Sequence, residues 1–142
     1  MFAHLTLPTQ HVEETTRFLE KTLGYPRKPV PANSPVDARW LDIGQGQELH
    51  VFFVEGFVVS SFEAEFGRHV ALFHPLDDFA ALRRRITDAG GELVEPLRAT
   101  PFERLFFREP VNGYLFELID SERHGQVVVE QIPTGKTPGR PA

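Results

Sequence analysis

The chain has 142 residues, of which 41% are hydrophobic, enough to close one compact domain. Its formal net charge of −5 argues against a nucleic-acid partner, whose phosphates require a positive surface. The absence of Cys excludes disulfides, thiolate metal sites and a cysteine nucleophile. No basic, apolar leader opens MFAHLTLPTQ, and apolar runs such as VFFV (51–54) are far too short for a membrane span. These features predict a soluble, cytoplasmic protein with no nucleic-acid or membrane partner.

FAHLTLP (2–8) reads as a short strand. In HVEETTRFLEKTLG (11–24), Val12, Thr15, Thr16, Leu19 and Leu23 recur at helical spacing and Gly24 is the stop signal. The Pro-rich stretch from Pro26 to Pro35 predicts an edge strand and a loop. ARWLDIG (38–44) and QELHVFFV (47–54) follow, joined by a tight turn as a hairpin. Residues 55–66 carry no clear pattern and read as a connector.

The pattern then restarts. GRHVALFH (67–74) is a strand, and PLDDFAALRRRITDAGG (75–91) is a helix with Pro and acids at its start and Gly-Gly at its end. ELVEPLRA (92–99), PFERLFFREP (101–110) and GYLFELID (113–120) predict three more strands, the last two joined by a turn carrying Asn112-Gly113. The order is strand, helix and three strands, twice. The expected fold is α+β, with two βαβββ modules at about 2–56 and 67–120 forming one domain over 1–120. The tail, 121–142, holds VVVEQIP as a possible extra strand and a disordered end.

Four polar residues occupy equivalent places in the two halves. His4 is in the first strand of one module and His69 in that of the other; His50 and Glu117 are in the two last strands. Because strand neighbours on one face are two residues apart, the four can share a concave surface. A buried carboxylate needs a partner, which a divalent cation supplies. Three imidazoles and one carboxylate suit Zn, Ni, Fe, Co or Mn, so His4, His50, His69 and Glu117 are the candidate metal ligands. Taken singly, a strand histidine is more often structural. The matched places in two halves favour a ligand set.

Other features have plainer readings. Glu48 is expected to face solvent, while Leu49, Val51 and Phe53 pack towards the helix. His11, His74 and His124 read as structural or exposed, and Arg83–Arg85 as a solvated helix face. GKT (135–137) lacks the glycine spacing of a phosphate loop. Phe52 and Phe107 are candidate pocket walls, and Arg39 and Arg104 candidate anchors for an anionic substrate group.

The repeat, with HLTL, LHVFF, RHVALF and NGYLFELID, resembles the vicinal oxygen chelate superfamily over residues 2–120, closest in layout to glyoxalase I-like proteins. The resemblance implies a cupped mixed sheet around one divalent transition metal, which chelates vicinal oxygens of a small substrate and stabilises a developing oxyanion. It implies a metal-dependent lyase or isomerase acting on a small oxygenated molecule, free or thiol-conjugated, with Glu117 and His50 in catalytic roles. The family's carboxylate at the end of the first module is here His50, which could serve as the base in its stead. His4, His69 and Glu117 alone match the two-His, one-carboxylate set of fosfomycin thiol transferases and extradiol dioxygenases. A metal-free small-molecule binder of the bleomycin-resistance type is the other class left open. Family members are commonly dimers, so a homodimer is expected.

Overall fold

A computed structural model describes residues 1–124. The first module runs β1 (His4–Thr9), α1 (Val12–Leu23), β2 (Arg27–Lys28), β3 (Ala38–Gly44) and β4 (Gln47–Phe53). The second runs β5 (Val70–His74), α2 (Phe79–Asp88), β6 (Glu92–Val94), β7 (Arg104–Arg108) and β8 (Leu115–Asp120). Each module folds its strands into one mixed sheet, ordered β1-β4-β3-β2 and β5-β8-β7-β6. The first strand of each lies parallel to the last, and the remaining pairs are antiparallel. The repeated βαβββ punctuation therefore corresponds to a repeated topology.

Local chemistry explains the elements. α1 buries Val12, Thr15, Phe18, Leu19, Thr22 and Leu23 on one side, and Gly24 closes it at φ 74° by donating to the Glu20 carbonyl. Pro75 fixes an extended entry to the second helical segment, so the first turn, Leu76–Asp78, is 3₁₀ and the α-helix starts only at Phe79. Strands in the second module are shorter than the sequence predicts. Pro96 and Pro101 interrupt 92–103 and leave β6 with three residues. Asn112-Gly113 lies within the longer connection from β7 to β8 and not in a two-residue hairpin turn.

One side of each sheet faces a core shared by both modules. Leu7, Leu41 and Leu49 join Val70, Leu72, Phe107, Phe116 and Leu118, with Phe18, Leu19, Leu82 and Ile86 from the helices. Phe107 stacks on Phe116 at 5.4 Å and meets Phe18 of the other module at 5.9 Å. Phe107 is thus core, not a pocket wall. Leu49 and Val51 pack inward as expected, but Phe53 is 41% exposed because β4 ends there. Arg85 leaves the solvated face of α2 to bond Asp78 and the Thr22 carbonyl. The expected strand VVVEQIP and the terminal segment lie outside the described residues.

Candidate functional site

The other faces of the two sheets carry the polar residues. In the first sheet His4 lies opposite Glu48, and both Thr6 and Trp40 lie opposite His50. Pairing aligns their side chains on one face. The His50 ring is sandwiched: His4 stacks on one side at 4.0 Å and Trp40 on the other at 4.0 Å. Phe52 presents an edge 6.0 Å away. His50 Nε2 lies 2.7 Å from Glu48 Oε2, and Lys28 Nζ lies 2.5 Å from Glu48 Oε1. The hydrogen bond from His50, followed by that from Lys28, holds the Glu48 carboxyl below its usual range. Glu48 is therefore tied to His50 and not directed to solvent: residues two apart on a strand share a face, and here they are bonded.

In the second sheet, Glu117 lies opposite Ala71 on β5 and Phe106 on β7. Its carboxylate is divided between two partners. Oε2 is 3.0 Å from His69 Nε2, and Oε1 accepts from Arg104 Nη1 at 3.0 Å. Arg104 is buried; it also donates to the Arg98 carbonyl and lies 2.8 Å from Glu65 Oε1, as an ion pair without hydrogen-bond alignment. Glu65 accepts from the Leu97 N–H at 2.6 Å. Burial raises its carboxyl pKa, but the backbone N–H and Arg104 outweigh that and hold it below the usual range. The Phe106 ring serves both partners of Glu117: Arg104 lies over it at 5.2 Å and His69 meets it at 5.7 Å.

The four candidate ligands thus form two pairs, His4 with His50 and His69 with Glu117, one on each sheet. Among the described residues, no group of three or more His, Asp or Glu is arranged to hold one metal ion. The His69–Glu117 pair has the right donors for a divalent cation. Their 3.0 Å separation is that of a hydrogen bond, which a bound cation would replace. The charge count agrees: Glu65 and Glu117 carry two negative charges against the one of Arg104. Glu48 engages His50 Nε2 as Glu117 engages His69 Nε2, and the His50 ring carries His4 and Trp40 on its two faces.

Phe52 stands on the candidate face; Phe107 does not, and Phe106 takes its place. Arg39 is turned away as well. It pairs in register with Val51, on the face opposite Trp40, and bonds Glu13 and Asp37. Arg104 reaches the site, but its charge is engaged by Glu117 and Glu65. His11 and His124 are exposed, and buried His74 bonds Asp78 on the core side. Sequence reasoning missed Trp40, Phe106 and Glu65. Hairpin register would have found the first two, whereas Glu65 lies in the connector that shows no periodicity.

The sequence matches the family model described as Glyoxalase/Bleomycin resistance protein/Dioxygenase superfamily over residues 1–118. No match is found among curated proteins. Among solved structures, the fosfomycin resistance protein FosX from Mesorhizobium loti is 19% identical with a TM-score of 0.67, covering 89% of this chain and 95% of that one. A mutant FosX from Listeria monocytogenes, complexed with Mn(II) and 1S,2S-dihydroxypropylphosphonic acid, is 18% identical with a TM-score of 0.67, covering 89% and 96%. A hypothetical protein from S. aureus is 20% identical with a TM-score of 0.61, covering 84% and 96%. At these identities the likeness is one of fold.

Proposed function

The chain belongs to the Glyoxalase/Bleomycin resistance protein/Dioxygenase superfamily, and from that premise we propose that it is a metal-dependent enzyme acting on a small oxygenated molecule. The observation that carries this reading is the His69–Glu117 pair, an imidazole and a carboxylate 3.0 Å apart in a cluster with one excess negative charge. His69 and Glu117 would hold the cation, and His4 would complete a two-His, one-carboxylate set. The pairs lie on separate sheets, and a second copy of the chain would bring its His4 to His69 and Glu117.

A divalent cation bound there supplies Lewis acidity towards adjacent substrate oxygens. The chain's own residues do the rest. Glu48 fixes His50 with Nε2–H donating, which leaves Nδ1 to accept a proton from substrate carbon or from an attacking nucleophile. Lys28 keeps Glu48 charged. Phe52 and Phe106 give the site apolar walls that limit water. A glyoxalase-type lyase or isomerase needs this proton transfer at carbon. The FosX neighbours favour a second reading, a fosfomycin-type addition in which His50 activates the incoming nucleophile.

Elemental analysis of protein purified without a polyhistidine tag or chelator, beside Glu117→Ala, tests the proposal. About one divalent ion per chain, lost in the variant, supports it. No ion after reconstitution with Mn, Fe, Co, Ni or Zn overturns it and leaves a metal-free binding protein of the bleomycin-resistance type.

A further inference from the structure

The contacts of Arg104 suit a role other than anchoring substrate. We propose that Arg104, backed by Glu65, is a positioning residue that fixes the Glu117 carboxylate for metal binding, an inference that rests on the metal reading above. Arg104 holds Glu117 Oε1 at 3.0 Å, so that Oε2 is the oxygen turned to His69. A free carboxylate can swing either oxygen towards an ion or bind through both. A guanidinium fixed on one oxygen removes that freedom, and such outer partners orient ligands in many metal sites.

Both terminal nitrogens of Arg104 are held, while its buried Nε has no hydrogen-bond partner. Glu65 and Glu117 oppose its charge, the Arg98 carbonyl accepts from Nη2, and the Phe106 ring supports its plane. Its side chain is only 3% exposed, and those of Glu65 and Glu117 are 8% and 7%. Buried to this degree, the group is poorly placed to receive an anionic substrate. Glu65 gives the arrangement its second function. Alone, Arg104 would place a positive charge beside the bound cation and weaken it. Paired with Glu65, it orients Glu117 with little net charge of its own. Glu65 also anchors the Leu97 N–H and sits in the connector between the modules. The connector is thereby fastened to the metal ligand through one guanidinium.

The charge-balanced variant Arg104→Met/Glu65→Gln separates orientation from electrostatics. Mn(II) binding is measured by calorimetry and by the paramagnetic resonance spectrum of the bound ion, with the melting temperature of the metal-free protein as a control for folding. The expected result is Mn(II) binding weaker by about 10- to 100-fold, with an altered resonance line shape. Arg104→Lys, which keeps the charge and loses the planar fork, should give an intermediate affinity. If the double variant does not fold, Arg104→Lys and Glu65→Gln decide: each should weaken Mn(II) binding, Glu65→Gln because it leaves Arg104 unopposed. Wild-type affinity and line shape in the folded variants would overturn the inference and leave the metal reading intact. Failure of the wild type to bind any divalent ion would overturn both.

Discussion

Trp40 lies flat against His50, with ring centroids 4.0 Å apart and planes within 4° of parallel. It is the only tryptophan in the chain, so its fluorescence reports on the first half of the candidate site. His4 closes the same stack from the other side. Titration with Mn(II), a paramagnetic quencher, should reduce the emission of the wild type. His4→Ala should abolish the saturable part of that response while the protein stays folded by circular dichroism. An identical saturable response in His4→Ala would place the ion elsewhere.

Phe107→Ala should act on stability alone. The ring is fully buried between Phe116 and Phe18, where truncation of a phenylalanine costs about 3–5 kcal/mol. Urea unfolding should show that loss, while Mn(II) affinity of the folded fraction, measured at low denaturant, stays unchanged. A selective loss of metal or ligand binding would return Phe107 to the pocket.

Acid should weaken the fold through Asp78. Arg85, with a smaller contribution from His74, outweighs the cost of burial and holds this carboxyl at about 2, below its ordinary value of 3.8. Since the folded value is depressed, the stabilisation is fully present above the ordinary value. It is lost as pH falls from about 4 towards 2. Asp78→Asn should flatten the fall in melting temperature over that window. A parallel curve for variant and wild type would show that the ion pair contributes nothing.

Glu109 should be critical to the β7–β8 connection. Its side chain is buried and accepts from the N–H groups of Val111, Asn112 and Tyr114, at 2.8, 2.8 and 3.2 Å. Glu109→Ala leaves buried donors without a partner, at about 1–3 kcal/mol for each one that water cannot reach. The melting temperature should drop, and hydrogen exchange at these amides should accelerate. Unchanged exchange at all three would show that the carboxylate is dispensable.

The fold was legible because its signals are local and occur twice. Alternating apolar residues mark the strands, Gly24 and Gly90-Gly91 end the helices, and each half repeats the order. The site was legible only where strand parity was enough. His50 and Glu48 share a face by their spacing, but only the sheet shows that they bond. Residue type alone makes Arg39 a candidate anion anchor and Phe107 a candidate pocket wall, without telling which face of its strand either takes. Register settles them: Val51 lies opposite Arg39 and Phe116 opposite Phe107, and both pairs belong to the helix side. Glu65 was beyond reach, because its role comes from a charge 39 positions away in a segment without periodicity.

The two halves are sewn together by a small polar knot. Asn112 accepts from Thr9 at 2.6 Å and donates to Thr15 at 2.9 Å, and the Tyr114 hydroxyl donates to the Pro8 carbonyl at 2.6 Å. Each bond joins the first module to the turn before β8. The connector at Val58, by contrast, is 80% exposed. Its neighbours Phe57 and Val59 pack against the core, so a break at Val58 leaves the contacts on either side of it in place. Expressed as two separate polypeptides divided there, they should reconstitute one folded molecule as a split protein, held by the core that both halves share and aligned by the bonds of Asn112 and Tyr114.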